Sequence, residues 1–119
     1  MSMRWVIGLG LLAFATSASA GTLQAAGASA PAIAKGEQVY AAQKCAMCHS
    51  LDGKGQAKGP LDGVGAKLTA DEISEWIIHP AEMTKKHNAT RKPLMRAYPN
   101  LPKEDLDALV AFLASKKKP

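Results

Sequence analysis

The sequence is poor in cysteine, in aromatic residues and in strand-like patterns. Only two cysteines occur in its 119 residues, and 5% of the residues are aromatic. No segment alternates apolar and polar residues for long enough to predict a β-strand. The βαβ scaffold that a C-x-x-C disulfide oxidoreductase needs is therefore excluded. The domain is predicted to be all-α, with few large apolar side chains of its own to form a core.

Charge is nearly absent from the start of the chain, where Arg4 is the only charged residue before Lys35. An apolar run over residues 5–14 follows, and then small residues that end in Ala18-Ser19-Ala20. This order is typical of a secretory signal peptide with an A-x-A cleavage site. The strongly apolar part is about ten residues, well short of the ~20 that span a bilayer. We therefore expect a cleavable signal at residues 1–20 and a periplasmic protein, with an uncleaved membrane anchor as the alternative.

One domain, residues 33–119, is predicted to follow a flexible leader of small residues at 21–32. The whole sequence has a formal charge of +5, which could favour nucleic acid, anionic lipid or an acidic protein partner. Export argues against nucleic acid. The run Lys116-Lys117-Lys118 is predicted to be a solvated, frayed terminus that could assist docking.

Both cysteines belong to one motif, Cys45-Ala46-Met47-Cys48-His49. C-x-x-C-H is the attachment pattern for c-type haem, in which two thiols join the two vinyl groups of one porphyrin. His49 would then be the proximal ligand of the iron. A zinc site is the alternative, but this segment offers at most three of the four ligands and no second cluster completes them. A haem would also supply the missing apolar bulk of the core.

Helical patterns lie on both sides of a glycine-rich loop at residues 51–67. A first helix is predicted from Pro31 to near Gln43 by its apolar spacing. Thr69-Ala70-Asp71-Glu72 forms a capping box, so a second helix should begin at Thr69 and end before Pro80. Its predicted buried stripe is Ile73, Trp76 and Ile77. The last helix is expected over residues 103–116, where apolar residues recur at i, i+3, i+4 and i+7.

The second axial position of the iron has four candidate ligands downstream: Met83, His79, His87 and Met95. A thioether favours the ferrous state and raises the potential relative to a second imidazole. Met95 lies between Pro93 and Pro99, and prolines stiffen the segment that would present its sulfur. We favour Met95 and keep Met83 in reserve, although either methionine could simply fill a gap in the core.

The chain from about residue 32 resembles the class I monohaem c-type cytochromes, the soluble electron carriers of bacterial periplasms. The segments that carry the resemblance are residues 36–40, 45–49, 59–61, 76–80, 95–101 and 106–113. It implies the small cytochrome c fold, with three to five helices around one covalent haem c. It further implies that Met95 is the distal ligand and that the Pro60 carbonyl accepts a hydrogen bond from His49 Nδ1. Gly36 and Tyr40 would cross the last helix near Leu109 and Phe112.

The chain departs from the family pattern at two positions. Arg96 stands where a proline usually follows the axial methionine, so the ligand loop is expected to be looser. Pro102 stands where a serine, threonine or aspartate commonly caps the last helix.

These observations predict a monomeric periplasmic one-electron carrier and not an enzyme. Its donor and acceptor would be larger periplasmic or membrane-bound redox proteins with acidic docking surfaces. Two alternatives remain: a dedicated electron-accepting subunit of a periplasmic dehydrogenase, and a ligand-binding or catalytic haem protein with an open sixth site. The lysines that could steer an acidic partner, or serve only solubility, are Lys44, Lys54, Lys58, Lys85, Lys86 and Lys92.

Overall fold

The computed structural model describes residues 27–119, so the predicted signal peptide lies outside the described residues. Five α-helices and one short antiparallel ribbon, in which Ser50 pairs with Gly55, make up this part of the chain. The prediction of a small all-α fold with three to five helices is confirmed. The elements are α1 Ala30–Ala42, a 3₁₀ turn Cys45–Met47, β1 Ser50–Leu51, β2 Lys54–Gly55, α2 Val64–Lys67, α3 Ala70–Ile78, α4 Pro80–Lys86 and α5 Lys103–Ala114.

Helix α1 begins at Ala30 because Ser29 caps it. The Ser29 side chain accepts a hydrogen bond from the Ala32 backbone N–H at 3.3 Å, and Pro31 lies in the first turn. A hydroxyl at this position satisfies a backbone donor that has no partner inside the helix. The last three residues of the segment predicted as a leader, 30–32, are therefore helical.

Helices α1 and α5 cross where α1 carries a glycine. A Cβ on Gly36 would collide with the Ala108 carbonyl oxygen and the Phe112 side chain. One turn further on, the rings of Tyr40 and Phe112 pack with centroids 5.6 Å apart and planes tilted by 60°, a geometry that suits aromatic quadrupoles. The predicted crossing of the first and last helices is confirmed.

The core lies between α1, α3 and α5, and it borders the site described below. Its buried residues are Val39, Tyr40, Leu51, Ile73, Ile77, Leu109, Phe112 and Leu113. Trp76, predicted as part of the buried stripe of α3, is only partly buried because it lines a cavity beside this core.

The predicted capping box of α3 is present. The Glu72 backbone N–H donates to Thr69 Oγ1 at 3.2 Å, and the Thr69 N–H donates to Glu72 Oε2 at 2.9 Å. The second of these hydrogen bonds is the main cause that lowers the pKa of the Glu72 carboxyl. Because the folded-state pKa is lowered, this contribution to stability is complete above the ordinary glutamate pKa. It is lost as the pH falls through the lowered value.

Replacing Thr69 by alanine should lower the free energy of unfolding by about 1 kcal/mol, the usual cost of losing a side-chain cap. Thr69→Ser keeps the hydroxyl and is the matched control, expected to stay close to the parent protein. Denaturant unfolding followed by circular dichroism measures both. Equal losses in the two variants would contradict the role of the hydroxyl.

The C-terminal lysines were predicted to be frayed, and for Lys116 and Lys117 that prediction is wrong. Lys116 Nζ lies 2.7 Å from Asp52 Oδ2 and 4.9 Å from the centroid of the Phe112 ring. Lys117 Nζ donates to the Gly65 carbonyl at 2.6 Å. The lysines are held because the chain after α5, which ends two residues earlier than predicted, turns back over the 51–67 loop.

Among residues 27–119, no helix is long and apolar enough to cross a bilayer.

Candidate functional site

A largely apolar cavity of about 600 Å³ lies beside the core. Its volume falls in the range of sites that enclose a cofactor. Of the described residues that line it, none is acidic and three are cationic: Lys44, Arg91 and Arg96. The apolar walls come mainly from Leu61, Val64, Leu68, Ile73, Trp76, Ile77, Leu109 and Leu113.

The Cys45–His49 motif forms one edge of this cavity. Lys44 adopts a left-handed conformation, with φ of 57°, and the 3₁₀ turn Cys45–Met47 follows it. The His49 backbone N–H donates to the Cys45 carbonyl at 2.9 Å, which closes the turn. Both thiols and the imidazole therefore line the same cavity.

The two thiols differ in their surroundings. Cys45 is partly buried and Cys48 is exposed. Burial raises the pKa of the Cys45 thiol to about 11, because the charged thiolate would be poorly solvated there.

His49 is partly buried, and one hydrogen bond fixes its ring. Nδ1 lies 3.0 Å from the Gly59 carbonyl oxygen. A carbonyl can only accept, so Nδ1 carries the proton and donates, while Nε2 keeps its lone pair. Burial is the largest cause that lowers the pKa of His49, the hydrogen bond to Gly59 opposes it, and the Arg91 guanidinium lowers it further. A neutral imidazole with a free Nε2 is the form that binds a metal.

The acceptor is Gly59, and the prediction of Pro60 is wrong by one residue. Ser50 pairs with Pro60 as in a parallel ladder, in which the Ser50 N–H donates to the Gly59 carbonyl and the Leu61 N–H donates to the Ser50 carbonyl. Carbonyls of successive extended residues point to opposite sides. The Gly59 oxygen therefore faces the Ser50 and His49 side, whereas the Pro60 oxygen faces away.

The candidates for the second axial ligand separate by position. Met95 is partly buried and lines the cavity. Met83 is only 4% exposed but does not line the cavity, so it belongs to the packing around α4. His79 and His87 are exposed and do not line the cavity, and the His87 ring packs against Trp76 at 5.8 Å.

Two residues of the site were not found from the sequence. Arg91 lines the cavity and donates a hydrogen bond from Nη2 to the Cys48 carbonyl. Tyr40 also lines the cavity, and its buried hydroxyl has no hydrogen-bond partner among the described residues. No local pattern marks either role, because both depend on which segments meet in space.

The donor set fits a haem. Two thiols, an imidazole and a thioether surround one cavity with apolar walls, and those are the groups that attach and ligate a c-type haem. Among the described residues, no three His, Cys, Asp or Glu side chains are grouped to hold a metal ion directly. The surroundings therefore suit a flat apolar group that brings its own metal.

Comparisons with known proteins agree with this chemistry. A family model described as Cytochrome c matches residues 33–117. Over 92 residues, the chain is 32% identical to a cytochrome c oxidase subunit 2 of Alkalihalophilus pseudofirmus. That alignment covers 70% of this chain and 25% of the relative, so the chain spans about a quarter of the length of the curated relative that it matches. No solved structure matches the chain significantly.

Proposed function

The chain belongs to the cytochrome c family, and from this premise we propose that it is a periplasmic one-electron carrier with His49 and Met95 as axial ligands. Family membership means that it carries covalently bound haem c and is a haem-based electron-transfer protein. One observation supports the finer proposal above all others. Cys45, Cys48, His49 and Met95 come from two separate segments of the chain and line the same apolar cavity.

Each of these residues has a distinct task in this proposal. Cys45 and Cys48 hold the haem covalently, and the Gly59 carbonyl keeps the His49 ring in one orientation. Met95 would hold the iron from the second segment, and the apolar walls would keep water away. When bound, the haem supplies the redox chemistry. With His49 and Met95 both retained as ligands, little of the chain would have to rearrange during electron transfer.

A potentiometric titration of the purified holoprotein tests the electron-carrier proposal. We expect a reversible one-electron transition between two low-spin states. Oxygen should not rapidly oxidise the reduced protein. A high-spin ferrous state that oxygen rapidly oxidises would instead favour the alternative of an open sixth site.

The mouth of the cavity favours an acidic partner. Lys44, Arg91 and Arg96 line the cavity, and in the part of the chain that the structure describes no acidic lining residue offsets their charge. Two apolar side chains on the same lining are unusually open to solvent, with Met47 72% and Leu94 50% exposed. A cationic rim beside exposed apolar contacts suits brief docking to a redox protein with an acidic surface.

Replacing Lys44 by glutamate should slow electron transfer to an acidic partner several-fold at low ionic strength, because steering depends on complementary charge. A bacterial cytochrome c oxidase is the acceptor to use, since a similar segment forms part of an oxidase subunit. Lys118→Glu is the matched control for net charge. Stopped-flow rates that do not depend on salt in the parent protein, or that fall equally in both variants, would contradict this docking surface.

A dedicated subunit of a periplasmic dehydrogenase is the second candidate, because Met47 and Leu94 could also form part of a lasting apolar contact. The effect of ionic strength on binding to the partner distinguishes the two functions. A carrier dissociates from its partner as ionic strength rises, whereas an apolar complex survives and the protein co-purifies with the dehydrogenase.

The periplasmic location is supported by the order of charged, apolar and small residues in the first 20 positions, which is typical of a secretory signal. Mass spectrometry of protein released from the periplasm tests it. We expect a chain that begins at Gly21, whereas an intact Met1 terminus in the membrane fraction would support an anchor.

A further inference from the structure

Arg91 connects the segment that carries Met95 to the segment that carries His49. It lies four residues before Met95, in the chain that follows α4. Its guanidinium donates from Nη2 to the backbone carbonyl of Cys48, 43 residues away in sequence. A hydrogen bond from a charged donor is stronger than one between neutral groups.

The same guanidinium packs against Gly59. A Cβ on Gly59 would collide with Nη1 and Cζ of Arg91 and with the Cys48 carbonyl oxygen, so glycine is needed for this close approach. Gly59 is also the residue whose carbonyl accepts from His49 Nδ1. Arg91 therefore touches the residue that precedes His49 and the residue that orients its ring.

We propose that Arg91 is a positioning residue that ties the Met95 segment to the proximal side of the site and so keeps the Met95 thioether on the iron. We call Arg91 and its contacts with Cys48 and Gly59 the Arg91 strap. The proposal rests on the proposed function, because it takes Met95 as the distal ligand.

The strap compensates for a feature of the sequence near Met95. Arg96 replaces the proline expected after the axial methionine, and its guanidinium lies 5.4 Å from the centroid of the Tyr98 ring. Arg96 is exposed, so its side chain gives Met95 no buried support. The next backbone anchor on the C-terminal side is the Tyr98 N–H, which donates to the Ile77 carbonyl at 2.9 Å. On the N-terminal side of Met95, Arg91 is anchored by its hydrogen bond to Cys48, which belongs to the haem-attachment motif.

Loss of the strap should make the Met95 thioether leave the iron more often, while the haem stays attached through Cys45 and Cys48. An external ligand competes with Met95 for the iron, so its apparent affinity reports the open fraction. The loss of one hydrogen bond from a charged donor corresponds to an increase in that affinity of roughly tenfold.

Imidazole binding to the ferric holoprotein tests the strap in three variants. Arg91→Gln should bind imidazole roughly tenfold more tightly than the parent protein and should show a weaker methionine–iron charge-transfer band. Arg91→Lys keeps the charge but loses the planar fork that packs on Gly59, so it should lie between the two. Lys92→Gln removes the same charge from the next residue, which is exposed and does not line the cavity, and it should bind imidazole as the parent does.

The outcomes separate the strap from the ligand assignment. If the parent shows the methionine–iron band but both Arg91 variants bind imidazole as the parent does, the strap is wrong and the ligand assignment stands. An equal increase in Lys92→Gln would also overturn the strap, since it would show an effect of charge alone. A parent protein without the band would overturn both proposals. If Arg91→Gln does not mature with haem, the comparison of Arg91→Lys with the parent decides.

Discussion

Met95→Ala will keep its haem, but its potential will fall and its iron will become open to external ligands. The thioethers at Cys45 and Cys48 do not depend on Met95, so the haem content should be unchanged. Axial ligands set haem potentials over about 0.8 V, and loss of the thioether should lower the potential by on the order of 0.2 V. Ferrous protein should also bind carbon monoxide, which a redox titration and a difference spectrum measure.

Met83→Leu is the matched control for this prediction. Met83 is buried but does not line the cavity, and leucine conserves its volume. The substitution should leave the spectrum and the potential unchanged and cost less than about 1.5 kcal/mol of stability. Carbon monoxide binding in Met83→Leu, with a closed iron in Met95→Ala, would contradict the assignment of Met95.

Gly36→Ala will destabilise the protein even though alanine is the better helix former. Helix propensity alone predicts a gain of about 1 kcal/mol at an exposed helical site. At Gly36, however, the added methyl would overlap with the Ala108 carbonyl oxygen and the Phe112 side chain. Because one of these atoms is backbone, α1 and α5 must move apart. We expect overpacking to cost about 3 kcal/mol, the upper end of its usual range, which leaves a net loss of about 2 kcal/mol after the gain in helix propensity.

Denaturant unfolding of the holoprotein measures this loss, and Ala34→Gly supplies the control. Ala34 lies on the exposed side of α1, so its replacement by glycine reports propensity alone and should cost about 1 kcal/mol. A gain in stability for Gly36→Ala would contradict the close crossing of α1 and α5.

The parts of the fold that follow local rules could be predicted from the sequence. The attachment motif lies within five residues, and the capping box at Thr69 lies within four. The apolar spacing of α5 also reports directly which face is buried. In each case the signal lies in residues that are close together in the chain, so it can be recognised without knowing which segments meet in space.

The features that sequence reasoning missed depend on contacts between distant segments. The choice between Gly59 and Pro60 as acceptor is decided by the pairing of Ser50 with the 59–61 segment, and a shift of one residue reverses the direction of the carbonyl. The contact between Arg91 and the Cys48 carbonyl spans 43 residues. Lys116 and Asp52, which are 64 residues apart, likewise lack any local pattern. Trp76 follows the helical period correctly, but the period cannot tell the core from the wall of a cavity.

The optical spectrum of the holoprotein in both redox states, with and without carbon monoxide, tests the central claim most directly. The account predicts low-spin spectra, a methionine–iron charge-transfer band in the ferric protein and no change of the ferrous spectrum with carbon monoxide. A high-spin spectrum, or a ferrous protein that binds carbon monoxide readily, would contradict a closed site with His49 and Met95 as ligands.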